Sequence, residues 1–184
     1  MDRFEVQATA LEGALVLDRR PIGDERGFLE RLYDEGELGE LLGGRAIRAV
    51  NRTMTKARGT VRGMHFQRAP HAELKLVHCL GGAVFDVAVD LRAGSPTFGR
   101  WHGVELSGES HRTFIIPEGF AHGFQALTEN CQMLYFHTAS FVKDAEGGVS
   151  PFDPRLAIDW PLDVTEMSAR DRSHPAIGAS FQAL

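Results

Sequence analysis

Arg62-Gly63-Met64-His65-Phe66-Gln67, with Glu73, Lys75 and the apolar run of residues 76–91 close behind, carries the first clue to fold and chemistry in this chain. Alternate side chains of a strand share a face, so Arg62 and His65 point the same way only if the chain bends or bulges near Gly63. Alone, the stretch is a half-buried strand with a satisfied histidine. Working outward, short apolar or alternating runs recur at residues 60–67, 74–80, 82–91, 101–106, 112–116, 123–127 and 132–141, punctuated by Gly, Pro, Asn and Asp. Strands at such spacing predict an all-β sandwich, jelly roll or barrel.

The flanks add detail. Residues 47–55 alternate, with Ile47, Ala49, Asn51, Thr53 and Thr55 on one side; residues 13–18 and 26–32 read as strands, separated by turn chemistry at residues 21–24. Residues 34–42 predict a helix, because Leu38, Leu41 and Leu42 recur at helical spacing after an Asp34 cap and Gly43-Gly44 follows. Beyond residue 145, Gly147, Gly148, Pro151 and Pro154 break regular structure, residues 156–161 predict a last strand and residues 165–172 a short helix. The 184 residues are expected to form one domain: N-terminal strands and a short helix in 1–45, the barrel core in 46–142, and a tail in 143–184 that covers the barrel mouth or reaches a neighbour.

Composition excludes several classes. The formal charge is -5, with 20 basic residues scattered among 25 acidic ones, so no nucleic-acid partner is expected. Early charges at Asp2, Arg3 and Glu5 and the acid Asp86 inside the most apolar run argue against a signal peptide or membrane span. With Cys79 and Cys131 the only cysteines, a reducing cytoplasmic compartment is expected.

A second marked stretch, Pro117-Glu118-Gly119-Phe120-Ala121-His122, matches the Pro-x-Gly-x-x-His half of the cupin superfamily pattern, and the Gly63 stretch resembles the other half. A metal cupin converges three or four N/O donors on a divalent ion. Here Gln67 stands where the second histidine would be, which leaves His65, Glu73 and His122 as the set for an alternative metal-dependent enzyme. The expected site has no metal and no cofactor.

The resemblance then becomes specific. RGMHFQ, Glu73 and Lys75, VFDVAVDLRAGSPTFGRW, IPEGFAHGF, LYFHT and SARDRSHP are similar, in the same order, to the dTDP-4-dehydrorhamnose 3,5-epimerase family. The resemblance implies a cupin-type jelly roll with a few short peripheral helices, acting on a dTDP-sugar and forming a homodimer. It implies His65 as base, Asp171 as the carboxylate fixing its imidazole, Lys75 as the cation near the C4 oxygen, and Tyr135 as the acid on the opposite face. By the same match Arg62 and His122 face the sugar, while Asn51 and the segment carrying Arg26, Phe28 and Glu30 serve the nucleotide end. Four positions depart from the family: Ala49 replaces a glutamine, Phe141 replaces a second tyrosine, and Pro151-Phe152 replaces Trp-Asn. These changes bear on the base recognised and on whether one carbon is epimerised or two, and they keep a single-carbon epimerase or ketoisomerase as the alternative reaction. His71 receives no role.

Overall fold

The computed structural model describes residues 3–178 and 181–184. Its strands are β1 (Phe4–Ala8), β2 (Leu15–Arg19), β3 (Ile22–Asp24), β4 (Gly27–Leu29), β5 (Ala49–Thr55), β6 (Val61–Gln67), β7 (Lys75–Gly81), β8 (Ala83–Asp90), β9 (Trp101–Ser107), β10 (Arg112–Ile116), β11 (Phe120–Ala126), β12 (Cys131–His137) and β13 (Glu146–Gly148). Two short α-helices, α1 (Glu35–Leu38) and α2 (Ala169–Arg172), and a single 3-10 turn at Lys143–Ala145 complete the set among the described residues. A six-stranded sheet runs β1-β2-β10-β7-β12-β5 and a five-stranded sheet runs β13-β6-β11-β8-β9. Every pairing in both is antiparallel. This is the cupin-type jelly roll expected from the sequence.

Alternation sorts the side chains into layers. Between the sheets Val77 and Phe114 meet Val84, Leu106 and Phe124. On the outer face of the five-stranded sheet, Met64, Val87 and Val89 pack against Val149, Leu156 and Ile177 from the C-terminal segment. On the outer face of the six-stranded sheet, Leu17, Leu76 and Ile115 are covered by Leu38 and Leu42. Cys79 and Cys131 are buried free thiols.

The helices are shorter than expected. Asp34 caps α1 by accepting from Glu37 N at 3.1 Å, yet regular helix stops before Gly39 and continues as turns to Gly44. Gly36 and Gly39 weaken an already short helix, each by up to about 1 kcal/mol relative to alanine. Residues 21–24, read as a turn, instead supply β3, which pairs with β4 in a separate exposed hairpin. Residues 156–161 form no strand; the last strand is β13, at the glycines read as breakers, because Gly147 and Gly148 let the chain lie against Phe66 and His174. The predicted helix over 165–172 contracts to α2.

At the opening stretch the bulge is present. His65 opposes His122 and Arg62 opposes Phe124, so three steps along β6 span two along β11. Gly63 has φ +133°, and a Cβ there would stand 2.5 Å from Gly123 Cα. Gly63→Ala is therefore expected to destabilise the fold by roughly 1–3 kcal/mol or more, read from the denaturant midpoint, since both the conformation and the contact are closed to a side chain.

Candidate active site

The two sheets enclose a cavity of about 930 Å³ at one end of the barrel, completed by the segment 165–172. That volume suits a ligand of nucleotide-sugar size. The five-stranded sheet contributes Arg62 and His65 from β6 and His122 from β11; the six-stranded sheet contributes Asn51 and Thr53 from β5, Lys75 from β7, and Tyr135 and His137 from β12. Asp171 and Arg170 arrive on α2.

His65 and Asp171, 106 positions apart, meet with Nε2 2.9 Å from Oδ1. Asp171 is held further by the Gly63 N–H, 3.2 Å from Oδ2, and sits in place because Ser168 caps α2 at the Asp171 N–H. Burial alone would raise the Asp171 pKa, but the hydrogen bonds from His65, Gly63 and Ser168 hold it below 3.8. Burial is also the largest influence on His65 and, with the charges of Arg170 and Lys75, carries its pKa below 6.5 despite the opposing pull of Asp171. The imidazole is thus neutral at neutral pH, its Nε2–H directed to the carboxylate. Tyr135 is 9% exposed, and burial pushes its hydroxyl pKa well up, so it stays protonated.

A second pair lies deeper: His122 Nε2 is 2.9 Å from Asp86 Oδ1. Burial raises the Asp86 pKa against the pull of His122, and its Oδ2 has no hydrogen-bond partner among the described residues. A third joins His137 Nδ1 to Glu73 Oε2 at 2.8 Å. Asp86, His137 and Arg170 were not singled out from sequence as site residues. The signals were an acid inside an otherwise apolar strand, a histidine two places after Tyr135 on the same strand face, and an arginine beside Asp171.

Other expected residues fall elsewhere. Arg26 pairs with Asp24 and is 82% exposed, and Phe28 is 63% exposed; neither lines the cavity of its own chain. Glu30 turns inward to Arg19 and His111, both at 2.8 Å, and ties the β3–β4 hairpin to the barrel. Asn51 lines the cavity, 3.3 Å from His137 Nε2. Phe141 stands in the cavity wall and is 63% exposed, whereas Phe152 and His71 lie outside it. Pro151 contributes its carbonyl to Trp160 Nε1.

The alternative metal set is not assembled. Glu73 is engaged by His137 and Lys75, and His122 by Asp86. Among the described residues the one trio with ligand atoms within 4.8 Å of one another is His65, Asp171 and His174. There the Arg170 guanidinium stands 3.1 Å from His65 Nε2 and 3.6 Å from Asp171 Oδ1, a positive charge where a cation would have to sit.

An antiparallel jelly roll whose cavity holds paired histidines and carboxylates, a buried lysine and a protonated tyrosine defines a cupin equipped for proton transfer. The sequence profile of the dTDP-4-dehydrorhamnose 3,5-epimerases matches residues 8–178, and the chain belongs to that family. It is 42% identical to the dTDP-4-dehydrorhamnose 3,5-epimerase of Salmonella typhimurium, over 92% of this chain and 93% of that one. It is 39% identical to the dTDP-4-dehydrorhamnose 3-epimerase of Streptomyces niveus, over 92% and 82%. Among solved structures, the dTDP-6-deoxy-D-glucose-3,5-epimerase of Legionella pneumophila in complex with dTDP-4-keto-L-rhamnose superposes with a TM-score of 0.90 at 39% identity, covering 94% of this chain and 92% of that one. No helix among the described residues is long and apolar enough to cross a membrane.

The lowered pKa values of His65 and Asp171 act on stability in one direction. A group with a folded pKa below its unfolded value binds protons more readily when unfolded, so stability is lost as pH falls below 6.5 for His65 and then below 3.8 for Asp171. An imidazole ¹⁵N NMR titration should place the His65 midpoint below 6.5, and Asp171→Asn, which removes the partner favouring the charged ring, should move it lower still.

Proposed function

We propose that this protein converts dTDP-4-dehydro-6-deoxy-D-glucose to dTDP-4-dehydro-L-rhamnose by removing and returning protons at C3 and C5. The observation that carries the reading is the division of labour between the sheets. His65 stands on one wall of the cavity, and Tyr135 with Lys75 on the facing wall. A sugar ring lying between them meets a base on one face and an acid on the other, which is what inversion at carbon requires.

The C4 ketone makes the hydrogens at C3 and C5 acidic, so no redox cofactor is needed. Neutral His65 takes the proton, and the Asp171 carboxylate stabilises the imidazolium that forms; a positioned base of this kind contributes on the order of 10²–10⁴ in rate. The Lys75 ammonium faces the developing enolate oxygen, where a fixed charge in a water-poor site is worth roughly 10²–10³. Tyr135, kept protonated by burial, returns a proton from the opposite side. Arg62 forms no ion pair among the described residues, which suits it to the oxygens of the ligand.

The site is further proposed to be completed in a homodimer. The β3–β4 hairpin exposes Ile22, Phe28 and Leu29, with Arg26 beside them, and offers an aromatic ring and a guanidinium to the nucleotide of a neighbouring protomer. The buried free thiols agree with a cytoplasmic location. A second reading, epimerisation at a single carbon, is favoured by Phe141, which puts a ring without a hydroxyl in the cavity wall, and by the likeness to the 3-epimerase of Streptomyces niveus.

The substrate incubated in deuterated water and followed by NMR decides between them. Exchange at both C3 and C5 is expected, exchange at one carbon selects the restricted enzyme, and exchange at neither rejects both. His65→Ala should abolish exchange at both carbons. Tyr135→Phe should leave exchange but impair productive inversion, and an active His65→Ala protein would overturn the base assignment.

A further inference from the structure

Glu73 has no part in the proton transfers described above, yet both of its carboxylate oxygens are engaged. His137 Nδ1 lies 2.8 Å from Oε2 and Lys75 Nζ 3.4 Å from Oε1, with side chains of Glu73, Lys75 and His137 only 10%, 10% and 14% exposed. Lys75 and His137 are direct cross-strand partners of β7 and β12, so two hydrogen-bond donors stand side by side on the cavity face. Glu73 reaches over both from the connection that precedes β7.

That connection is itself pinned. The Leu74 N–H donates to Thr138 Oγ1 at 2.9 Å, and the Leu74 carbonyl accepts from the Thr138 N–H at 3.1 Å. The backbone carrying Glu73 is thereby fastened to the end of the strand that carries Tyr135 and His137. With Nδ1–H given to Glu73, His137 turns Nε2 towards the Asn51 amide, 3.3 Å away. Its ring stacks on Tyr135 with centroids 6.0 Å apart and planes 29° from parallel. Burial acts to raise the Glu73 pKa, but the His137 hydrogen bond and the Lys75 charge hold it below 4.5, so the carboxylate is ionised.

We propose that Glu73 is a positioning residue, setting where the Lys75 ammonium stands and which nitrogen of His137 carries the proton. Lysine is a point charge on a flexible four-carbon stem, and it stabilises an oxyanion well only when something else fixes it before the reaction begins. Glu73 supplies that anchor. The same carboxylate fixes the ring packed against Tyr135, so one side chain aligns the groups on the six-stranded wall of the cavity. This role rests on the epimerase reading, with Lys75 acting at the enolate oxygen.

The test is a double-mutant cycle on the full-length protein, begun once wild-type turnover is measured. Glu73→Gln keeps the volume and removes the charge; it should lower kcat about tenfold while KM stays within about twofold, a coupling typical of groups in direct contact. In a Lys75→Met background the same change should cost clearly less than tenfold, because the part of its effect carried by Lys75 is already gone. Glu73→Asp, with the charge kept but withdrawn by one methylene, should recover part of the lost kcat. Equal losses in both backgrounds, or an unchanged kcat, would overturn the proposal.

An imidazole ¹⁵N spectrum separates this idea from the reaction assignment and serves if a variant turns over too slowly to measure. Wild type should hold His137 as the Nδ1-protonated tautomer, and Glu73→Gln should lose that preference. Identical His137 spectra would reject the positioning role even in an active enzyme. A wild-type protein that exchanges neither carbon rejects the epimerase reading, and the spectrum then decides the placement of His137 by itself.

Discussion

The close approach of β6 and β11 is the constraint on which the site depends. Gly63 and Gly123 face each other without room for a side chain, and the bulge they permit turns both Arg62 and His65 into the cavity. The same bulge directs the Gly63 N–H at the Asp171 carboxylate. Backbone geometry at one residue therefore aims the His65 imidazole, orients the Asp171 carboxylate and docks the segment that carries it. A straight strand would place Arg62 and His65 on opposite faces and leave Asp171 without one of its donors.

Around that point the barrel sorts charge by pairing. His65 with Asp171, His122 with Asp86, and His137 with Glu73 form three imidazole–carboxylate contacts in one enclosed space, all at 2.8–2.9 Å. Burying any one of these carboxylates alone would cost several kcal/mol, and each is instead compensated at short range. The pairs differ in environment: Asp171 and Glu73 are held ionised, whereas full burial pushes the Asp86 pKa up. Similar residue types thus have their pKa values moved in opposite directions within a few strands of each other.

Much of this was legible in the sequence because it rests on period and punctuation. The seven runs from 60 to 141 are seven strands, and the glycine beside His65 marks the bulge. The motif resemblance brought His65, Lys75, Tyr135 and Asp171 together, although spacing alone gave no reason to join residues 65 and 171. The failures have local causes. Gly36 and Gly39 cut short a helix that the leucine spacing favoured. Gly147 and Gly148 made a strand where glycine is normally a breaker, since close packing against Phe66 and His174 outweighs propensity. His137 and Glu73 were visible as letters, but their union requires the β7–β12 register, which no short-range signal encodes.

The long reach between His65 and Asp171 also sets an order of events in biosynthesis. A ribosome delivers the chain from its N-terminus, and the last strand of the barrel, β13, ends at Gly148. Asp171 lies 23 residues further on, so the strands can pair while the imidazole still lacks its carboxylate. A molecule that ends before α2 would lack the Asp171 carboxylate at His65 together with the Ile177 contact on the outer face of the five-stranded sheet, so the arrival of the C-terminal segment completes both the imidazole pair and the packing behind it.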